Sequence, residues 1–482
     1  MATAADTSPS VHIVDSPRVD PAIPLMQHRI EGTAVGAEYT LPCSAFTEAH
    51  LDVIQKALTL YPTVRAGLPP GLPYALWRRH GSNLVVPRAL GLSNFGAPAI
   101  DERVEGDRMS PDTFAWKGPP LYEWQERTVS AVVSHLRTPP YYGGCLNAGC
   151  GLGKTNMFLA IAARMGVRTA VLVNKDFLMR QWIQRIHTCL PNASVGRAQG
   201  SVCESDADVV VVMIQSANRH EGAFRGVGLL AVDECHHLPA RTYAAVARQF
   251  PAKYVVGLSA TLARGDNNQK AIWWLLGPTM VRVTRPTIGD ACAATQVKMV
   301  DTRLRPVEVS RNGRLDWART MTLLIRHPER NRVIADEIRA ALAAGRRPLV
   351  ISERVEHLRE LMRLVDTGND AAAGLLYVGE SGKRKREDRD AKFEAGPTSV
   401  YTTKQMASEA FDWPECNCVM ITTPMPATSG LAQSVGRCQR RNGGSDNNGG
   451  SVVVDFRDDS PALRSIAQQR VRYYTQSGYG WV

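Results

Sequence analysis

Ala148-Gly149-Cys150-Gly151-Leu152-Gly153-Lys154-Thr155 is the stretch from which the rest of this chain can be read. A strand-like apolar run over 142–146 leads into it, and a helical pattern over 156–164 leads out. Glycines let backbone N–H groups turn toward a phosphate. The start of the helix adds a partial positive charge in the same place. Lys154 can then reach the β- and γ-phosphates of a nucleotide, and the Thr155 hydroxyl can ligate Mg2+. Ala148 stands where the strict pattern has glycine, and so small a residue still fits. An ordinary glycine-rich turn between strand and helix is the alternative, but it does not explain why Lys-Thr falls at the helix start.

Outward from this loop, strand-like and helical runs alternate from residue 119 onward. Strands are expected at 169–174, 208–214, 229–233 and 254–259, and helices at 124–136, 156–165, 176–190 and 242–249. Near-continuous Val and Ile strands alternating with helices imply a parallel sheet covered on both faces. Catalytic residues then belong at the C-terminal ends of the strands. Ala231-Val232-Asp233-Glu234-Cys235-His236 closes one of them. Asp233 can hold Mg2+ directly or through water, and Glu234 can polarise the water that attacks a γ-phosphate. His236 is close enough in sequence to link this strand to its neighbour. A helix cap followed by core polar residues is the alternative. A zinc site from Cys235, His236 and His237 lacks ligand spacing and a fourth partner.

A second alternation starts near Asn331, with strands expected at 348–352, 374–378, 399–403, 419–423 and 452–456. Residues 264–330 have a weaker pattern and read as a bridge, so the chain holds two α/β lobes. Upstream, residues 1–20 are Ser-, Pro-, Ala- and Asp-rich and read as disordered. Residues 21–115 read as a Pro-rich accessory domain with an amphipathic helix over 45–60 and a strand over 83–86. Tyr74, Trp77, Arg78, Arg79 and His80 interleave aromatic and basic groups, which suits stacking on bases or packing on a neighbour. Lys383-Arg384-Lys385-Arg386 runs straight into Glu387-Asp388-Arg389-Asp390, which suits a solvated helix face, with a nuclear-import signal as the alternative. Residues 442–451 read as a flexible surface loop.

Composition narrows the partners. The 482 residues suffice for two or three domains, and the net charge of +11 favours a polyanion, although a merely soluble basic protein would look the same. Ten cysteines are scattered without a C-x-x-C pair, and Cys416 and Cys418 fall on a strand that reads as buried. They are expected to be reduced thiols in a reducing, intracellular compartment. No signal-peptide pattern is expected in residues 1–15. No apolar run approaches the roughly 20 residues that span a bilayer, so no membrane partner is expected.

The A-x-x-G-x-G-K-T form of the loop together with Asp233-Glu234-Cys235-His236 resembles the superfamily 2 DNA helicases of the DExH type. The likeness covers roughly 119–480. It is strongest to the group containing the transcription and repair translocase XPB, phage helicases and the helicases of large DNA viruses. It implies an α/β fold of two tandem RecA-like parallel-sheet domains, a P-loop NTPase helicase core, with a small N-terminal accessory domain. The boundaries would be 116–290 for the ATP-binding domain and 291–482 for the C-terminal domain. The implied cofactors are ATP and Mg2+, with Ala148, Gly149, Cys150, Gly151, Leu152, Gly153, Lys154 and Thr155 around the phosphates and Thr155 and Asp233 on the metal.

Further motifs carry the same resemblance. Gly257-Leu258-Ser259-Ala260-Thr261-Leu262 matches the motif that couples hydrolysis to strand movement, and Ala263-Arg264-Gly265-Asp266 follows as in this group. Leu121-Tyr122-Glu123-Trp124-Gln125 resembles the glutamine motif, which implies that Gln125 reads the adenine edge with an aromatic or Arg127 nearby. Gln433-Ser434-Val435-Gly436-Arg437-Cys438-Gln439-Arg440 matches the sixth motif. It implies Gln433 at the nucleotide, and Arg437 and Arg440 on one helix face as the arginines that neutralise the transferring phosphoryl group. Such a residue is worth roughly 10³- to 10⁵-fold in rate. Nucleic-acid contacts are implied at Asn174, Lys175 and Gln181, at Gln215 and Ser216, at Ser352 and Arg354, and at Thr402, Thr403 and Gln405. Ser408-Glu409-Ala410-Phe411-Asp412 resembles E-G-L-D with Ala410 in place of glycine, and alanine resists positive φ.

The expected function is therefore an ATP-dependent DNA helicase or translocase acting on single-strand or duplex DNA. Its setting would be a transcription, repair or replication complex, in a nucleus or at a viral or phage replication site. An RNA helicase, a duplex translocase that does not unwind, and a restriction-enzyme motor subunit share these motifs. A decayed, ATP-independent binding protein is opposed by the intact Lys154, Asp233, Glu234, Arg437 and Arg440.

Overall fold

In the computed structural model the described residues are 12–13, 23, 30–61, 72–149, 151–220, 222–239, 241–262, 268–283, 295–304, 308–311, 314–366, 374–379, 383–409, 413, 415–426, 429–439 and 450–482. The chain divides into two compact units, with the division between Thr284 and Arg285.

In the first unit, strands β1 (Gly143–Ala148), β2 (Thr169–Val173), β3 (Val195–Gln199), β4 (Val209–Met213), β5 (Leu229–Val232), β6 (Tyr254–Ser259) and β7 (Thr279–Val283) run parallel in the order β7-β1-β6-β5-β2-β4-β3. Every residue of β2, β4, β5 and β6 is buried, as a sheet covered on both faces requires. Helix α1 (Glu123–Leu136) precedes β1, α2 (Lys154–Met165) follows the glycine-rich loop, and α3 (Asp176–Cys189) follows β2. The buried residues of α3 are Met179, Trp182, Ile186 and Cys189, spaced by three and four on one face. Strand register aligns the ends of the central strands. Val232 pairs with Gly257, and Gly257 with Cys145, so the C-terminal ends of β5, β6 and β1 lie side by side at one edge.

Two expectations change here. His12 and Ile13, in the stretch read as disordered, pair antiparallel with Arg282 and Val281 of β7. Backbone pairing on an edge strand needs no side-chain pattern, so the sequence carries no sign of it. Residues 264–330, read as a bridge, contain β7 of this sheet and a strand of the next. Both are outer strands with exposed polar positions, Arg282 in one and Gln296 in the other, which blurs the apolar run.

Upstream, described residues between 34 and 101 build a five-stranded sheet with Glu38–Pro42 and Asn83–Pro87 at its centre. The helix expected over 45–60 is shorter, Glu48–Ala57, because Thr47 caps it: its hydroxyl accepts from His50 N at 3.2 Å. Leu51, Ile54 and Leu84 belong to the same apolar cluster as Leu172 and Val210 of the large sheet.

The second unit is a parallel sheet of β8 (Thr295–Asp301), β9 (Pro348–Ser352), β10 (Gly374–Tyr377), β11 (Ser399–Thr403), β12 (Cys418–Ile421) and β13 (Ser451–Arg457) in the order β10-β11-β9-β12-β13-β8, with Gly480–Trp481 beyond β8. Helices α4 (Pro328–Ala343), α5 (Val355–Val365) and α6 (Pro461–Gln476) accompany it. Two fully buried ion pairs tie helices to the end of β13: Arg330 to Asp458 at 2.8 Å and Arg470 to Asp455 at 2.7 Å. Lys383–Glu394 is a helix with Arg384 and Lys385 exposed. The described cysteines are free thiols. Cys150, Arg440, residues 263–267 with the Ala263-Arg264-Gly265-Asp266 stretch, residues 410–412, and 442–449 of the expected surface loop lie outside the described residues.

Candidate active site

The glycine-rich loop starts from β1 and ends in α2. Gly151 and Gly153 both have φ of +77°, the left-handed region in which an L side chain is strained. At Gly153 a Cβ would also lie 2.8 Å from Gln125 Nε2. Lys154 Nζ donates to the Ala148 carbonyl at 3.0 Å, which folds the ammonium back over the loop. Thr155 follows in the first turn of α2, partly exposed. Gln125 is buried, and both ends of its amide are engaged. Its Oε1 accepts from Tyr122 N at 3.1 Å, and its Nε2 donates to the Leu152 carbonyl at 3.0 Å. In this structure Gln125 braces the phosphate loop from α1, with one hydrogen bond at each end of its amide. Arg127 pairs with Glu123 at 3.2 Å on the outside of α1.

β5 delivers the acidic pair to the same edge. Asp233 N continues the ladder to the Leu172 carbonyl at 3.1 Å. One carboxylate oxygen of Asp233, Oδ2, accepts from Trp182 Nε1 at 2.8 Å, and Oδ1 accepts from Glu234 N at 2.9 Å. Burial, and then the Glu234 charge, push the Asp233 carboxyl up from the usual aspartate range, against the Trp182 bond and the Lys154 charge. Burial acts on Glu234 too, but there the His236 hydrogen bond and the charge of Lys154 outweigh it, and the carboxyl is held low. Glu234 itself has φ of +47°, so a non-glycine residue is strained at the turn that aims this carboxylate.

His236 joins the acidic strand to β6. Its Nδ1 lies 3.0 Å from Ser259 Oγ and 3.2 Å from Glu234 Oε2. Ser259 has a single hydroxyl proton, and it goes to the Thr261 carbonyl at 2.7 Å. The Ser259 oxygen must therefore accept from His236, which puts the ring proton on Nδ1. His236, Ser259 and Thr261 thus form one hydrogen-bonded chain, and Glu234 Oε2 lies against the same His236 nitrogen, so the acidic pair and the Ser-Ala-Thr motif meet at one ring. Behind them the Cys235 thiol is pushed well up by burial and by contact with Cys145.

Of the residues implied for nucleic-acid contact, Asn174 and Lys175 sit where β2 ends and α3 begins, and exposed Gln215 follows β4. Gln215 Nε2 donates to the Asn174 carbonyl at 3.0 Å, which ties the two segments together. Ser216 is buried and accepts from Gly200 N at 2.8 Å. In the second unit Arg354 is exposed at the start of α5, and its N–H donates to Ser352 Oγ at 3.2 Å. Ser352 lies 3.0 Å from His357 Nδ1, and His357 Nε2 lies 3.1 Å from Asn331 Oδ1. Asn331 donates its amide to the Ile325 carbonyl, so its oxygen accepts and His357 Nε2 carries the ring proton. Thr402 is fully buried, with its hydroxyl on the Tyr377 carbonyl at 2.6 Å, where it joins two strands. Thr403 is partly exposed and Gln405 exposed at the same strand end.

The sixth-motif stretch begins as a helix, Ser429–Val435, and tightens to a 3₁₀ turn over Gly436–Gln439. Gln433 is buried, and half-buried Arg437 donates from Nε to the Ala407 carbonyl at 3.0 Å. Trp182, which holds Asp233, carries no motif signal. Beside Gln181 it reads in the sequence as one more apolar position on α3.

Residues 119–264 match the family described as type III restriction enzyme, res subunit. A provisionally named ATP-dependent RNA helicase of Acanthamoeba polyphaga mimivirus is 26% identical over 415 residues, covering 84% of this chain and 77% of that protein. The DNA 3'-5' helicase XPB of Mycobacterium tuberculosis is 24% identical over 358 residues, covering 69% and 61%. Among solved structures, Dbp5 of S. cerevisiae bound to RNA and ADP BeF3 aligns with a TM-score of 0.56 at 15% identity, over 78% of this chain and 94% of that one. At that identity the likeness is one of fold, which is α/β with parallel RecA-like sheets.

Proposed function

We propose, for a chain that belongs to the superfamily 2 helicases of the XPB, phage and large-DNA-virus group, that it is a DNA helicase or translocase driven by MgATP hydrolysis. The observation that carries this reading is the linked set at one edge of the first sheet. Lys154 opens α2, Asp233 and Glu234 end β5, and His236 bonds Ser259 at the end of β6. Lys154 would hold the β- and γ-phosphates, Glu234 would orient and deprotonate the attacking water, and the His236–Ser259 pair would carry the state of that site to the neighbouring strand.

The donor set also suits a hard divalent cation. A buried aspartate drawn toward its neutral form is a group that a nearby cation would keep ionised, and the Thr155 hydroxyl stands beside Lys154 in the same helical turn. Asp233 and Thr155 would hold Mg2+, which when bound neutralises charge on the phosphate oxygens. Arg437 and Arg440 are proposed, on their match to the sixth motif, as the guanidinium groups that offset charge on the transferring phosphoryl group.

The proposed division is an accessory segment over 21–115, an ATP-binding domain over 116–290 and a C-terminal domain over 291–482. Asn174, Lys175, Gln215, Arg354, Thr403 and Gln405 are proposed to hold the backbone of one strand without reading its bases. The net charge of +11 suits a polyanionic track, and DNA is preferred on the likeness to XPB. The proposed setting is intracellular. No helix among the described residues is long and apolar enough to cross a membrane.

The test compares ATP hydrolysis with single-stranded DNA, duplex DNA and RNA, and follows displacement of strands from duplexes with 3′ or 5′ tails. Stimulation greatest with DNA, together with displacement, is expected. Stronger stimulation by RNA would favour an RNA helicase, and stimulation by duplex DNA without displacement a translocase. No stimulation by any nucleic acid would overturn the proposal.

A further inference from the structure

Asp233 is held by a residue that belongs to a different part of the fold. Trp182 lies on α3, seven residues after Lys175, the residue from which that helix starts. Its indole N–H donates to Asp233 Oδ2 at 2.8 Å, and its side chain is almost wholly buried. The ring also packs edge-to-face on Phe158 of α2, with centroids 5.8 Å apart. Trp182 therefore touches both halves of the candidate nucleotide site, the carboxylate directly and the phosphate-loop helix through Phe158. At its other end α3 starts from Asn174 and Lys175, which Gln215 ties to the end of β4.

A carboxylate has about four lone-pair directions, and here two are taken, one by the indole and one by the Glu234 N–H. The donors come from fixed frames on two sides, so the carboxylate cannot swing. The remaining directions are left for a cation. Indole is an uncharged donor, so it orients the carboxylate without competing for its charge, as a lysine in that position would.

We propose that Trp182 is a positioning residue, one that holds the Asp233 carboxylate in its cation-receiving orientation and passes strand engagement at Asn174 and Lys175 along α3 to that carboxylate. This rests on the reading of Asp233 as a Mg2+ ligand. It assigns to α3 a task that the motif residues at its start do not perform themselves.

Trp182→Phe keeps an aromatic ring against Phe158 and removes the donor. The experiment titrates a fluorescent ADP analogue into wild type and variant, each in Mg2+ and in EDTA, and measures single-stranded-DNA stimulation of ATP hydrolysis in parallel. Loss of an outer hydrogen-bond partner of a metal ligand typically costs about tenfold or more in metal affinity. The variant should therefore lose about that factor in nucleotide affinity in Mg2+ and none in EDTA, and its stimulation by DNA should fall. The ratio of the two affinities is internal to each preparation, so a smaller folded fraction cancels. Equal weakening in both buffers, or no weakening in either, would overturn the assignment to Trp182. A wild type with no Mg2+ dependence would instead overturn the reading of Asp233 on which it rests.

Discussion

Gln125 shows how a motif residue can be found by sequence while its contacts within the fold stay hidden. Its position is legible because Leu121-Tyr122-Glu123-Trp124-Gln125 stands where a helix begins upstream of a phosphate loop. Its partners are not, because the Leu152 carbonyl lies 27 residues away and is reached only once α1 packs against the loop. The same holds for Trp182 and Asp233, which are 51 residues apart. By contrast, the places of Lys154 and the acidic pair can be read directly, since they are local strand-to-helix and strand-end positions. With one hydrogen bond to the Leu152 carbonyl, Gln125 is expected to act on nucleotide binding through the loop. Gln125→Ala should weaken ATP and GTP binding alike, by about fivefold, because of its two hydrogen bonds the one that reaches the loop is worth about 1 kcal/mol. Titration with both nucleotides checks this, and a loss confined to ATP would return Gln125 to the adenine edge.

Among the elements, the buried parallel strands are the most legible, because β2, β4 and β5 are unbroken apolar runs whose whole length is covered. β3, β7 and β8 are not, since an outer strand alternates and carries residues such as Arg197 and Arg282 that solvent can accept. The junction of β9 and α5 is marked in the sequence by Ser352 and Arg354, yet its rigidity comes from His357, which no motif marks. His357 is buried, and burial first, then the Arg330 charge, pull it down from the ordinary histidine value to about 3. The native state therefore favours the neutral ring, while the unfolded chain takes up a proton below about 6.5. The stability this provides is complete above pH 6.5 and is lost as pH falls from there toward 3, at up to about 1.4 kcal/mol per pH unit. Urea midpoints measured between pH 7 and pH 5 should fall more steeply in wild type than in His357→Gln. Identical pH dependence in the two would mean that the ring is charged in the native state.

At the scale of the whole molecule, two parallel-sheet units are legible because each lobe repeats the alternation of apolar strand and amphipathic helix. The sequence does not show how closely residues 34–101 share a core with the first unit, since Leu51, Ile54 and Leu84 read as the inside of a small separate domain. The charge of +11 comes from composition alone, and it favours a polyanionic partner without distinguishing one polyanion from another. What converts such a fold into a motor is the dependence of nucleotide turnover on nucleic acid, and the proposed site makes that dependence pass through Lys154. The most direct measurement is steady-state ATP hydrolysis by the full chain with and without single-stranded DNA, in wild type and in Lys154→Ala, alongside DNA affinity. Turnover that rises with DNA in wild type and is absent in the variant, with DNA binding retained, is the predicted result. Turnover that survives the substitution, or DNA binding lost together with it, would contradict the account.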